Sequence, residues 1–115
     1  MKNDKININS IADCICQIQN YTQEGQTSFT QTRMIQDAVI RDFQVMGEAT
    51  KNLSTEFKSA YSDMPWRKIA GFRDVLRHSY ISLDLAFVWE VIETDLPELK
   101  PKIEAIVQEL GGIVR

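Results

Sequence analysis

Residues 35–53 read IQDAVIRDFQVMGEATKNL, and their apolar residues recur at intervals of three, four or seven. This is the period of an α-helix, and a half-buried strand would alternate instead. The pattern predicts a helix over roughly 32–53, striped by Ile35, Val39, Phe43, Met46 and Leu53. Gly47 lies inside it and costs ~1 kcal/mol relative to alanine in a helix interior. We therefore expect another helix to approach closely at Gly47.

The rest of the chain also shows helical spacing, and no convincing strand alternation. The sequence predicts a first helix with Asn3 or Asp4 as its cap and Gly25 as its stop. This helix carries a stripe made of Ile8, Ile11, Ile15 and Ile18. A polar loop around TQEGQTS follows it, and a short turn or helix covers 55–61. Pro65 would open a third helix, because proline is favoured in a first turn.

Two more helices are predicted in the last third of the chain. One starts near Ser82 or Asp84 and carries a stripe made of Leu85, Trp89, Ile92 and Leu96. Asp95, which precedes Pro97, is expected to cap a last helix that ends at Gly111 and Gly112. The prediction is an all-α bundle of four to five helices in one domain, 1–115. Trp66 and Trp89 are expected in its core or at a dimer contact.

Composition excludes some classes of protein. The 115 residues are 43% hydrophobic and carry a net charge of −3, which argues against coating nucleic acid by bulk positive charge. The N-terminus has no apolar targeting segment and no stretch approaches 18 apolar residues, so we expect a cytoplasmic protein without a membrane anchor. Cys14 and Cys16 point to different helix faces and have no histidine cluster nearby, so neither a disulfide between them nor a metal site is expected.

The charge is uneven, however. Residues 66–78 hold four of the 13 basic residues, Arg67, Lys68, Arg73 and Arg77, and one of the 16 acids, Asp74. Arg73 and Arg77 are one turn apart and would repel each other unless an anion lies between them. Phosphate fits, because its oxygens match the guanidinium fork. This stretch is therefore a candidate anion site, with a solvated charged face as the competing interpretation.

The same stretch carries His78, the single histidine of the chain. Asp74 precedes it by four residues and could hydrogen-bond the imidazole and fix its tautomer. An imidazole and a guanidinium can together catalyse RNA cleavage without a metal ion. A base and an acid transfer the protons in this reaction, and a cation stabilises the charge on the phosphate. That chemistry needs two proton-transfer groups, and a two-fold dimer would supply the second. On a straight helix Arg73 and His78 lie about 140° apart, which also favours a site shared by two chains.

These residues resemble a known family. Arg73, His78 and Tyr80 match the R-x4-H-x-Y motif of HEPN-domain toxins of the HepT type. The context is similar too: RDFQVMGEATKNL (41–53) resembles the family's second helix with its Gly-Glu pair. MPWRKIAGFRDVLRHSYISLD (64–84) resembles its motif helix, and VWEVIETDLPEL (88–99) the helix pair that follows. The resemblance covers roughly residues 30–100.

The resemblance implies an α-helical HEPN fold, a homodimer with the motif at its interface, and metal-independent ribonuclease activity without a cofactor. It further implies a cognate antitoxin, a minimal nucleotidyltransferase that transfers AMP from ATP to the motif tyrosine. Arg73 and His78 would then be catalytic and Tyr80 the modified residue. Asp74 stands where the family often has asparagine, and its effect on RNA binding is left open.

Three residues proposed to support the site each have two interpretations. Glu48 would either contact the motif helix as a support for the site or be a surface glutamate. Arg67 and Lys68 would either bind the RNA backbone or be ordinary solvated charges. The rival functions are a non-catalytic HEPN-like binding or dimerisation module, and a helical bundle whose basic face binds an acidic protein.

Overall fold

In a computed structural model, which describes residues 2–78 and 84–111 (at 2 and 74–78 the backbone alone), the chain is built from helices. The elements are α1 (Lys2–Tyr21), α2 (Gln26–Gln31), α3 (Arg33–Lys51), α4 (Thr55–Ala60), α5 (Trp66–His78), α6 (Leu85–Glu90), a π-helical segment (Val91–Asp95) and α7 (Leu96–Glu109). No strand occurs in these two ranges. The predicted all-α bundle is confirmed.

Helix α3 is the centre of the bundle. It packs against both α1 and α5, and α1 packs in turn against α7. The predicted stripes form the core: at most 1% of the surface is exposed for Ile8, Ile11, Ile15, Ile18, Val39, Phe43 and Met46. Between α3 and α5 the rings of Phe43 and Phe72 meet edge to face, with centroids 5.3 Å apart. Apolar burial thus holds the motif helix α5 firmly against α3.

The prediction that Asn3 or Asp4 caps the first helix is wrong. Both residues lie inside α1, and the side chain of Asp4 is buried. Its carboxylate accepts hydrogen bonds from the backbone N–H of Ser54 at 2.8 Å and from the Ser54 hydroxyl at 2.7 Å. The Ser54 oxygen accepts in turn from the N–H of Phe57 and so caps α4. Asp4 therefore joins α1 to the start of α4.

Asp95 does not cap the last helix either. Its backbone is helical and its side chain makes no capping bond. The π-helical segment connects α6 to α7 without a break, so the two predicted helices form one continuous element. The start is as predicted at Asp84, whose carboxylate accepts from the N–H of Phe87 at 3.1 Å. Ser82, the other candidate for this start, lies outside the described residues.

The predicted polar loop contains a short helix. Helix α1 ends at Tyr21, before the predicted stop at Gly25, and Gly25 has a φ of 99° at the start of α2. Phe29 of α2 is fully buried, and its ring centroid lies 5.7 Å from that of Trp89. Trp66 is a core residue, as one of its two interpretations predicted.

The close approach predicted at Gly47 is confirmed. A methyl group added there would lie 2.6 Å from the Cβ of Arg73, 3.1 Å from its backbone nitrogen and 3.2 Å from the carbonyl oxygen of Ala70. Two of these three neighbours are backbone atoms, so side-chain rotation cannot relieve the overlap. Only glycine allows α3 and α5 to pack at this distance.

We expect Gly47→Ala to lower the free energy of unfolding by about 1–2 kcal/mol, because the cost of overpacking exceeds the gain in helix propensity. Urea denaturation followed by circular dichroism measures the change. Gly71→Ala is the matched control: Gly71 lies in α5, and an added methyl group there meets no described atom outside the adjoining backbone of its own helix within 4 Å. It should raise stability by up to about 1 kcal/mol. Equal effects of the two substitutions would contradict the packing argument.

Candidate functional site

Arg73 forms an ion pair across the α3–α5 contact. Its Nη1 lies 3.3 Å from Oε2 of Glu48, the residue that follows Gly47. The Arg73 side chain is 33% exposed and that of Glu48 is 54% exposed, so water reaches the pair. Glu48 thus contacts the motif helix and also lies at the surface, and its role as a support for the site stays a prediction. The glycine that admits α5 therefore also brings the carboxylate to the guanidinium.

The backbone of α5 is helical through His78. Positions 73 and 78 are consequently about 140° apart around the axis and about 7.5 Å apart along it. The side chains of Asp74, Arg77 and His78 lie outside the described residues, as does Tyr80. Their roles at the site stay predictions.

The two basic residues in the first turn of α5 differ in their surroundings. Arg67 is exposed. Lys68 forms an ion pair with Asp95, with Nζ 3.1 Å from Oδ1, and its side chain is 55% exposed. The pair joins α5 to the π-helical segment. The Asp95 carboxylate therefore contacts Lys68 of α5 and makes no capping bond to α7.

A groove of about 680 Å³ runs between α1 and α3. It is lined by Lys5, Ile6, Asn9, Ser10, Asp13, Cys14, Gln17, Arg41, Asp42 and Val45. Asp42 is only 7% exposed. With its amide nitrogen facing the carboxylate, Gln17 donates to both oxygens of Asp42 at 3.0 and 3.1 Å. A buried acid on this side of α3 thus contrasts with the exposed Glu48 on the α5 side.

The buried groups of the groove have altered acidities. Burial, followed by the negative charges of Asp42 and Asp13, raises the pKa of the Cys14 thiol to about 12. Burial also raises the pKa of Asp42, against the opposing effects of the hydrogen bond with Cys14, the positive charge of Arg41 and the hydrogen bonds from Gln17. Cys14 is therefore a protonated thiol at neutral pH and a poor nucleophile.

The sequence analysis missed this buried pair, although a signal was present. Asp42 is three residues after Val39 and four before Met46, which places an acid on the apolar stripe of α3. Cys14 lies likewise between Ile11 and Ile18 on the stripe of α1. A polar residue at a stripe position predicts a buried hydrogen-bonded contact between two helices.

The described part of the chain lacks two further features. Where side chains are described, no three histidine, cysteine, aspartate or glutamate residues are grouped so that they could hold a metal ion. In the same part of the chain, no helix combines the length and the apolar character needed to cross a membrane.

Comparison with known proteins identifies the family. The model of a family described as "Ribonuclease HepT-like" matches residues 11–106, which include Gly47, Glu48 and Arg73. The chain belongs to the HepT-like ribonuclease family. No solved structure matches it. The all-α bundle is consistent with the HEPN-like fold that the sequence resemblance implied.

Two relatives show how far the likeness extends. The chain is 36% identical over 100 residues to "Probable ribonuclease HepT" of Thermococcus cleftensis. This match covers 86% of this chain and 91% of that protein. It is 41% identical over 110 residues to "Gamma-glutamylcyclotransferase and putative RNase" of Methanocaldococcus jannaschii. That match covers 95% of this chain but only 50% of the relative, so the chain spans half the length of that protein.

Stability should depend on pH through Asp42. Its pKa is raised in the folded state, so the folded protein binds this proton more tightly than the unfolded chain does. The resulting stabilisation is complete below the unfolded pKa of about 3.9 and is lost as pH rises through the folded pKa. We expect Asp42→Asn, which cannot titrate, to remove this loss from the free energy of unfolding measured by urea denaturation between pH 4 and 7.

The control is Asp37→Asn, which removes an exposed carboxylate from the same helix. It should leave the pH dependence close to that of the wild type. If both variants flattened the profile equally, the buried carboxylate would not be its cause.

Proposed function

We propose that the protein is the toxin of a toxin–antitoxin pair and acts as a metal-independent endoribonuclease. One observation carries the proposal: the Arg73 guanidinium is held at the α3–α5 contact, one third exposed, on the helix whose backbone continues to His78. Membership of a family of ribonucleases supports the assignment of RNA as the substrate. The cytoplasm, where RNA is available, is the proposed location.

The proposed reaction is a transesterification within RNA. An imidazole removes the proton from a 2′-hydroxyl, and the oxygen attacks the adjacent phosphorus in line. A second proton-transfer group protonates the departing 5′-oxygen. Arg73 stabilises the additional negative charge on the phosphorane. The products are one strand with a 2′,3′-cyclic phosphate and one with a 5′-hydroxyl.

A homodimer supplies what one chain lacks. His78 is the single histidine of each chain, whereas the reaction uses both a base and an acid. The angle of about 140° between positions 73 and 78 also turns them away from each other on α5. Two 66–80 segments that face each other across a two-fold axis would bring Arg73 of one chain toward His78 of the other.

The neighbouring charges have supporting roles in this proposal. Asp74, one turn before His78, would hydrogen-bond the imidazole. Arg77, one turn after Arg73, would bind the same RNA phosphate as Arg73. Arg67 precedes His78 by eleven residues and lies within about 20° of it around the helix, so it could reach the RNA backbone beyond the cleaved bond. Lys68 is half exposed and paired with Asp95, so its RNA contact would be the weaker one.

The proposed partner that silences the toxin is a minimal nucleotidyltransferase antitoxin. AMP transferred from ATP to the Tyr80 hydroxyl would place a negatively charged phosphate beside Arg73 and Arg77. The phosphate would occupy the cationic groups meant for RNA, and the nucleoside would obstruct access. Covalent modification would thus inhibit through the same charge that binds the substrate.

We expect the purified protein to cleave RNA in the presence of EDTA and to leave 2′,3′-cyclic phosphate ends. Arg73→Ala and His78→Ala should each lower the rate by at least about 10²-fold, the usual contribution of a charge stabiliser or a proton-transfer group. Mass spectrometry of the products identifies the ends. Activity that disappears with EDTA and returns with magnesium would contradict the mechanism.

The same two variants test the shared site. Each homodimer lacks one of the two groups, whereas a mixed dimer retains Arg73 of one chain together with His78 of the other. Because the mixed dimer has one imidazole in place of two, mixing after partial unfolding and refolding should restore only a fraction of the wild-type activity, above the sum of the two homodimers. A monomer at micromolar concentration in sedimentation experiments would overturn the dimer proposal.

Modification of Tyr80 is tested by co-expression with the cognate nucleotidyltransferase. We expect a mass increase of one or more AMP units on the Tyr80 peptide together with loss of RNA cleavage. Tyr80→Phe should escape both effects, and Tyr61→Phe is the control that should be modified like the wild type. A label on Tyr21 or Tyr61, or labelled protein that still cleaves RNA, would show that the proposed silencing is wrong.

A further inference from the structure

The guanidinium proposed to bind an RNA phosphate already faces an anion. Glu48 Oε2 lies 3.3 Å from Nη1 of Arg73. A phosphate that takes this donor must compete with the carboxylate or share the guanidinium with it. Glu48 therefore belongs to the energetics of RNA binding and not only to the packing of the site.

The two partners differ in their freedom to move. The Cβ of Arg73 packs closely against Gly47. The Arg73 backbone is part of helix α5, and the adjacent residue Phe72 is buried against Phe43. The base of the arginine side chain is thus fixed. Glu48 is 54% exposed, so its carboxylate can rotate into water without disturbing the core. When the ion pair opens, Glu48 is the partner that moves.

The strength of the pair permits such an exchange. A partly exposed ion pair contributes a factor of roughly two to five to an equilibrium constant. A phosphate presents two oxygens to the guanidinium fork and makes the stronger bidentate contact. An RNA strand is also held by further cations, which a carboxylate on α3 is not. RNA should therefore displace Glu48 at a measurable but modest cost.

We propose that Glu48 is a displaceable counter-ion: it occupies Arg73 until RNA arrives, and its displacement lowers the affinity for RNA. The inference rests on the proposed ribonuclease function, because it assumes that Arg73 contacts an RNA phosphate. It differs from a purely positioning role, in which Glu48 would keep its contact with Arg73 while RNA is bound. The two roles predict opposite effects of Glu48→Gln, an uncharged substitution of nearly the same shape.

The test measures the dissociation constant of a single-stranded RNA with His78→Ala as the parent, so that binding is observed without cleavage. Adding Glu48→Gln should tighten binding about two- to fivefold. The matched control is Asp37→Asn, which removes one carboxylate from the same helix and breaks the exposed pair of Asp37 with Arg33. It should change affinity by less than half as much. In an Arg73→Ala background, Glu48→Gln should have no more effect than this control.

Each result decides the inference. Equal tightening by Glu48→Gln and Asp37→Asn would show a bulk charge effect and overturn it. Unchanged or weaker binding with Glu48→Gln would also overturn it and assign Glu48 a positioning role. In both cases cleavage by the wild type and its loss in Arg73→Ala would leave the ribonuclease function standing. Failure of the folded wild-type protein to bind or cleave RNA would overturn both proposals.

Discussion

The contact of α3 with α5 at Gly47 is the constraint on which the rest of the structure depends. A hydrogen atom in place of a side chain lets the backbone nitrogen of Arg73 come within 3.1 Å of where a Cβ would be. The buried rings of Phe43 and Phe72 hold the two helices together one turn from this point. The apolar contact supplies the attraction, and the glycine sets the distance. Together they place Arg73 beside Glu48.

Two acids on α3 have opposite physical environments. Asp42 and Glu48 are six residues apart, so they point in directions that differ by about 120°. Asp42 faces the groove beside α1, where burial raises its pKa and Cys14 and Gln17 occupy its oxygens. Glu48 faces α5 and stays half exposed. The same helix therefore carries one carboxylate fixed in the α1 interface and one that can leave its partner.

The sequence predicted the helices better than it predicted their connections. Repeated apolar spacing identified the long elements and most of the core, and the cost of a mid-helix glycine correctly indicated a close helix contact. Capping rules failed at Asp4 and Asp95 because they consider only the local sequence. The partners of these two acids, Ser54 and Lys68, lie 50 and 27 residues away along the chain. Helix α2 was missed because Phe29, its buried anchor, has no apolar stripe around it.

For the candidate site, the sequence predicted which residues take part better than it predicted their contacts. Residue types and spacing picked out Arg73 and His78, but the ion pair of Arg73 depends on where α3 crosses α5 and needed the structure. The helical backbone of α5 has a further consequence for the chemistry. To bring positions 73 and 78 together within one chain, α5 would have to unwind, which would break backbone hydrogen bonds and pull Phe72 away from Phe43. A second copy of the chain would supply the missing group while α5 keeps its backbone hydrogen bonds and Phe72 stays packed on Phe43. This is the physical argument for the proposed dimer.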